Sequence, residues 1–400
     1  MPSTIEIHGS WSFFPWHRSY LYYHERILGS LINDPTFSLP YWDWDTAGHG
    51  VVPPLYAQAV INGVPNPLFD TVRGATTGST PTLDEFFAQY EKPPIAVLSR
   101  LEEDVDPEDF FGTPSNNPES TGGNIEFGPH GLVHIWCGDP LFQNPNGTPD
   151  MGVLQTAARD PLFFLHHCNI DRLWDVYLNM PATPPHTNPP DCAWGAMPWQ
   201  FYDEQQQWRS ITASNVVDIQ NSLGYVYQSP QGNAHLSGSL SAVAQTKVLT
   251  TAAQKRTTQT PEPTTSEIVI PPDVRNDIKL SAPNPSARRR YILHVVGIDV
   301  PANESAIIKV FVNLPTATAA TPTSSKNYVG YFTVIPKTLK AEGHNHKLMN
   351  VTFDVTQELH DTLKSGSKLT VTLVPVRGLR SKPAAEGIHL TYEKVYITTK

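Results

Sequence analysis

The sequence predicts a mainly α, loop-rich core, a helical bundle around a metal centre, followed by a small antiparallel β-sandwich. Three observations carry that expectation. Segments 129–136 and 159–174 place histidines at helical spacing among aromatic residues. Between 228 and 285 the composition shifts to Ser, Gln, Thr, Ala and Pro with no apolar period. Beyond 286, apolar and polar residues alternate in short runs.

Along the chain, Pro15 fits the first turn of a helix, and 16–31 then carries an apolar stripe. His17 and His24 share a face of that helix but stand about 10 Å apart along its axis, so at most one serves a given ion. His24 reads as a packing or surface residue. His8, before Pro15, has a different local geometry and is able to converge with His17. Residues 46–125 are rich in Gly, Pro, Thr and Asn and read as loops, with helices around 83–90 and 96–103.

His130 and His134 are four apart, which puts both imidazoles on one helix face with about 5–6 Å between their Cβ atoms. The next helix carries His166 and His167. Adjacent residues point about 100° apart, so only one of that pair joins the same ion. Three imidazoles on one ion suit copper, zinc, iron or nickel, not the oxygen cages of magnesium or calcium. Residues 181–200 read as a surface loop and 200–227 as ordered. In the last third, Ile308, Val310, Val312 and Leu314 alternate with Lys309, Phe311 and Asn313, as Leu369, Val371 and Leu373 do with Thr370 and Thr372. Nothing there suggests an independent active site, and His344 and His346 read as a surface turn.

Composition narrows the partners. The net charge of −10 argues against nucleic acid or an anionic membrane surface. No apolar run approaches the roughly 20 residues of a transmembrane helix. Cys137, Cys168 and Cys192 cannot form a disulfide framework; one bridge or none is open. No signal or transit peptide is read at the N-terminus. The sequons at Asn146, Asn303 and Asn350 are weak pointers to secretion.

His8-Gly-Ser-Trp11, Phe14-Pro-Trp-His-Arg18, Trp42-Asp-Trp-Asp45, the 129–136 segment and Asp160 through Trp174 together closely resemble plant-type polyphenol oxidases. These are the catechol oxidases and tyrosinases with a type 3 dicopper centre. The resemblance covers nearly the whole chain. It implies two copper ions, one held by His130, His134 and His167, with His166 beside the ion. The other is held by His8 and His17, with one ligand missing, so that the chain reads as N-terminally truncated. By the same resemblance, Glu126 positions a water that takes a phenolic proton, and Phe163 stacks on the substrate. Leu154 is a gate where relatives often carry Phe. Gly131 and Ile135, each following a ligand, line the mouth. Asp171 and Asn169 stand behind the ligands, Asp171 anchoring a His ring or pairing with an arginine.

The implied activity is oxidation of o-diphenols, and of monophenols as a further class, to o-quinones, with O2 reduced to water. Two other outcomes stay open: a folded, impaired homologue with one intact copper site, and a dicopper oxygen-binding protein. A zinc hydrolase is disfavoured, because no Glu lies within His130–His134 to act as base. The resemblance also implies a domain order: a catalytic domain over 1–180, a middle segment over 181–227, a cleavable linker over 228–285, and over 286–400 a shield that keeps the enzyme latent. The implied compartment is the plastid, in the thylakoid lumen, with vacuole and secretion as alternatives.

Overall fold

A computed structural model describes residues 7–138, 147–228, 247–256, 263–280, 289–300, 305–336, 348–376 and 390–400, apart from 76–77, 80, 92–96, 98–100, 103, 105, 148, 183 and 191. The 96–103 helix expectation falls largely outside these residues, and so do His344, His346, Asn146 and Asn303.

The core is built on three helices. The first, α1 (Phe13–Leu31), starts three residues earlier than the apolar stripe suggested, with Pro15 inside its first turn. It buries Phe13, Phe14, His17, Arg18 and Leu21. The second, α2 (Gly131–Gly138), is buried on every side, and α3 (Leu162–Asn179) nearly so. Asp160 launches α3 by accepting the Leu162 N–H at 2.9 Å while it pairs with buried Arg73. Stacked rings fill the gaps between helices: Phe14 lies 4.4 Å from Phe110, and Phe110 lies 4.2 Å from Tyr177. The expected helix near 83–90 is present as Leu83–Phe87, opened by a Thr82–Glu85 capping box.

One buried polar network joins these layers. The Arg18 guanidinium lies 3.5 Å from the centre of the Trp174 ring, binds Asp171 and donates to the Val216 carbonyl at 2.9 Å. Burial opposes its charge, but Asp171 beside it prevails and raises its pKa. The other Asp171 oxygen accepts the hydroxyls of Tyr225 and Tyr227 at 2.6 and 2.7 Å. Asp171 is therefore spent on Arg18 and the 225–227 segment, and among the described residues no bond to a histidine ring accompanies it. Its neighbour Arg172 pairs instead with Asp45 and Asn169, and Asn169 donates to Asp45 at 2.7 Å. Of the two roles expected for Asp171, pairing with an arginine is the one present, and the partner is Arg18 rather than the adjacent Arg172, because successive helical residues diverge.

Two hairpins, β1 (Val60–Ile61) with β2 (Val64–Pro65) and β3 (Pro198–Tyr202) with β4 (Trp208–Thr212), flank the core. The remaining strands form the sandwich: β5 (Lys247–Arg256), β6 (Thr264–Val269), β7 (Tyr291–Ile298), β8 (Ala306–Val312), β9 (Tyr328–Val334), β10 (Met349–Asp354), β11 (Lys368–Val376) and β12 (Tyr392–Thr399). They make two antiparallel sheets, β10-β7-β12-β5 and β6-β11-β8-β9. This corrects the linker expectation. Lys247–Arg256 and Thr264–Val269 pair with β12 and β11, and Pro272–Leu280 is helical. Their Thr-, Ala- and Gln-rich composition hid edge strands, which need little apolar surface.

The alternation read in β8 also marks only half of its packing. Every β8 residue is buried. Ile308, Val310 and Val312 fill the sandwich, whereas Ile307 joins Tyr331 of β9 in the core of the helical unit. Charged groups close the same junction. Arg290 binds Asp106 at 2.9 Å and Asp109 at 2.6 Å, Lys400 binds Glu108 at 2.6 Å, and Lys394 and Tyr396 both reach Glu119. Asn350, the sequon within the described residues, is 4% exposed; its amide accepts from the Gly297 N–H and donates to the Ser120 carbonyl at 3.0 Å. All three cysteines are free thiols, two of them buried.

Replacing Arg18 by Met strands the Asp171 carboxylate and is expected to cost about 3–5 kcal/mol. A urea midpoint unchanged from the parent chain would show that the network carries no stability.

Candidate metal centre

A kink sets up the first pair of histidines. Gly128 leaves helical geometry (φ −97°, ψ −108°) and Pro129 follows it, so His130 closes a wide turn, Glu126–His130, that runs into α2. His130 Nδ1 then faces the Glu126 carbonyl at 3.0 Å. His134 Nδ1 faces the Met151 carbonyl at 2.7 Å, and His17 Nδ1 faces the Phe13 carbonyl at 2.8 Å. A carbonyl only accepts, so each Nδ1 must carry the proton. Each Nε2 is left with a lone pair, the state in which an imidazole binds a metal.

His130 Nε2 is buried without a hydrogen-bond partner. His134 Nε2 lies 3.4 Å from His167 Nε2. Two nitrogens bound to one ion at about 2.0–2.1 Å in tetrahedral arrangement stand about that far apart. The candidate ligand atoms of His130, His134, His166 and His167 all lie within 4.8 Å of one another. The donor set, buried and neutral, fits a transition-metal ion.

Trp44 separates the two adjacent histidines. Its Nε1–H donates to His166 Nδ1 at 3.0 Å. An indole N–H only donates, so His166 Nδ1 holds the lone pair and its proton sits on Nε2. That nitrogen points a proton, not a lone pair, into the site. His167 is thereby left as the third ligand candidate, with His166 clamped beside it.

His8 and His17 adjoin this trio. The His17 ring is stacked on His167 at 4.2 Å and 11°, and His8 stands 5.5 Å from His17 and 6.5 Å from His130. Phe13 fills the space among them, 4.7 Å from His17 and 4.8 Å from His130. Phe163 lies 4.1 Å from His167. His24 is elsewhere, stacked on Phe164 at 3.8 Å, in keeping with a packing role. Glu126 Oε1 accepts the Gly9 N–H at 2.7 Å, so this carboxylate ties the turn that carries His8 to the turn that carries His130.

Burial, followed by the charges of the neighbouring rings, holds His17, His130, His166 and His167 well below the ordinary histidine range. Burial brings His134 down to about 4.

The sandwich covers the positions read as the mouth. A Cβ on Gly131 would fall 1.8 Å from Thr333 Oγ1 of β9, so only glycine admits the strand this close. That hydroxyl donates to the Phe127 carbonyl at 2.7 Å, and the Leu154 N–H bonds the Pro336 carbonyl at 3.0 Å. Ile135 is 1% exposed within the helical core, so it lines no open mouth in this arrangement. Sequence reasoning missed Trp44 and Thr333, whose partners lie far away along the chain, and Phe13, which packs on both neighbouring His17 and distant His130. The Trp42-Asp-Trp-Asp45 run contributes to the family resemblance, but nothing in it assigns Trp44 to a histidine ring.

Two sequence families match. "Common central domain of tyrosinase" matches residues 1–108 and 87–180, and "Chloroplastic Polyphenol Oxidase C-terminal domain" matches 273–392. A chloroplastic polyphenol oxidase of Malus domestica is 35% identical over 56% of this chain and 38% of its own length. One from Vitis vinifera is 30% identical over 94% of this chain and 63% of its own length. The chain thus spans between 38% and 63% of these curated relatives. A solved latent aurone synthase (polyphenol oxidase) superposes with TM-score 0.70 at 28% identity, covering 99% of this chain and 77% of the other. A latent apple tyrosinase gives 0.66 at 26% identity, covering 99% and 84%.

The depressed histidines carry a pH signature. Between pH 6.5 and about 4 the unfolded metal-free chain binds protons that the folded chain refuses at His134, so stability falls with pH across that window. Urea midpoints at stepped pH check this, and His134→Gln should flatten the slope. An equal slope in the variant would count against a buried neutral imidazole.

Proposed function

Since this chain belongs to the plant polyphenol oxidase family, with its tyrosinase-type central domain and its own C-terminal domain, we propose that it is a copper-dependent oxidase of o-diphenols. Monophenols are a second substrate class, the products are o-quinones, and O2 is reduced to water. The observation that carries this reading is the convergence of three buried imidazoles, His130, His134 and His167, beside His8 and His17. The first three would hold one copper, and His8 and His17 would contribute to a second. Bound copper supplies the electron-transfer chemistry between phenol and O2.

The chain's own residues do the rest. Burial keeps the ligand rings neutral, so they accept a cation without first losing protons. Phe163, against His167, offers a ring face to an aromatic substrate. Glu126 holds the two ligand-bearing turns at a set spacing through Gly9. The carboxylate is also the acid nearest in sequence to His130, and the role of a water-positioning proton acceptor is assigned to it.

The sandwich supports a latent state. With Thr333 on Gly131 and Pro336 bonded to Leu154, a phenol has to displace β9 before it reaches the ligands. The relatives named chloroplastic favour a plastid address; within it, the thylakoid lumen is the place proposed.

A second reading, one copper per chain, is favoured by one observation. Among the described residues the grouping of three or more ligand side chains includes His130, His134, His166 and His167 but neither His8 nor His17. Copper content separates the readings: about two ions per chain for the dicopper oxidase, about one for the impaired homologue.

Catechol turnover, followed by quinone absorbance, is expected to be low in the full chain and to rise after limited proteolysis between residues 228 and 247. Equal rates before and after cutting would remove the latency reading, and no turnover in either state of a copper-loaded chain would remove the oxidase. In the cut form, Leu154→Phe should raise KM for bulky phenols more than for catechol. A uniform change in both would show that the position is no gate.

A further inference from the structure

A file of oxidisable rings leaves the metal centre along α1, on the side of the β3–β4 hairpin and not of the sandwich. Trp16 lies edge-on to His17 with 4.9 Å between ring centres, and Tyr20 follows Trp16 at 5.3 Å. Tyr20 is also 6.1 Å from Phe163, which adjoins His167, so it neighbours both sets of ligands. Further out, Phe201 of β3 lies 6.2 Å from Tyr20 and 5.7 Å from Tyr23, nearly parallel to both. Tyr22 stands 5.2 Å from Tyr23, and its hydroxyl accepts from Arg26 Nη1 at 2.7 Å.

Trp16, Tyr20 and Tyr23 are spaced four and three apart, so they share one face of α1. Such a stripe usually packs a core. Here all of them, with Tyr22, are only partly buried. Among the aromatic side chains, indole and phenol also give up single electrons most readily.

We propose that Trp16, Tyr20, Tyr23 and Tyr22 form a one-electron relay between the metal centre and the surface, separate from the mouth that the sandwich covers. The inference rests on the copper reading above. It concerns what happens when an oxidant is reduced at the centre with no phenol in reach. Hydrogen peroxide takes two electrons and two protons there and leaves as two waters. Trp16 supplies each electron and is restored by Tyr20, which releases its phenolic proton. Tyr23 or Tyr22 then returns an electron to Tyr20 past Phe201 and gives its own phenolic proton to water, while Tyr20 regains a proton from water. A phenol in solution quenches the surface tyrosyl by giving one electron and one proton. In sum, one peroxide and two phenols yield two waters and two phenoxyl radicals. The relay drains to the surface oxidation that would otherwise fall on His17 and His167.

The test uses the full copper-loaded chain, with metal content and peroxide consumption measured first. Peroxide is added without phenol, and the sample is freeze-quenched for electron paramagnetic resonance and digested for mass spectrometry. A tyrosyl signal is expected, with oxidation mapped to Tyr22 and Tyr23. Tyr20→Phe should cut that signal several-fold and shift oxidation onto Trp16 and His17. Tyr202→Phe, on the same hairpin but outside the file, should leave the signal and the map unchanged. An identical signal and map in Tyr20→Phe overturns the relay, as does a copper-holding chain that consumes peroxide without any aromatic radical. A chain that takes up no copper overturns the parent reading and the relay together.

Discussion

The centre depends on where four protons sit. His17, His130 and His134 each give the Nδ1 proton to a main-chain carbonyl, so their Nε2 lone pairs are free to meet a cation. Trp44 reverses the arrangement at His166 by donating to its Nδ1. A helix carrying two adjacent histidines has no intrinsic way to select one of them. The choice comes from an indole 122 residues earlier in the chain. The rest of the core holds those carbonyls and that indole in register: the kink at Gly128, the Met151 turn and the Arg18–Asp171 network between α1 and α3.

The sandwich is bound to this core by the two faces of one sheet. β8 is apolar on both sides, one for the sandwich interior and one for the helices beneath. The contact thus combines hydrophobic burial with the Arg290, Lys394 and Lys400 pairs at its rim. Those pairs gain most where water is excluded and weaken with salt where it is not. Gly131 permits the close approach of Thr333, and it sits beside His130, so cover and centre are coupled at this turn.

What was legible in the sequence follows from distance along the chain. The His130–His134 pair, α1, the helix near 83–90 and the alternation in β8 and β11 are local patterns, and all of them appear in the structure. Asp171 was ambiguous because its partners, Arg18, Tyr225 and Tyr227, lie 153, 54 and 56 residues away. β5 and β6 were read as linker because edge strands tolerate polar composition. β8 looked one-sided because Phe311 and Lys309 do not announce a second buried face. Trp44 and Thr333 act across more than a hundred residues, which no periodicity encodes.

Asn350 illustrates how assembly can override a local signal. Its side-chain amide is the bridge between the Gly297 main chain and the Ser120 carbonyl, deep in the seam between the two units. An oligosaccharide on that nitrogen and a closed seam are mutually exclusive. A chain sugared there before folding would carry a permanent wedge, and one folded first would offer the transferase nothing to grasp.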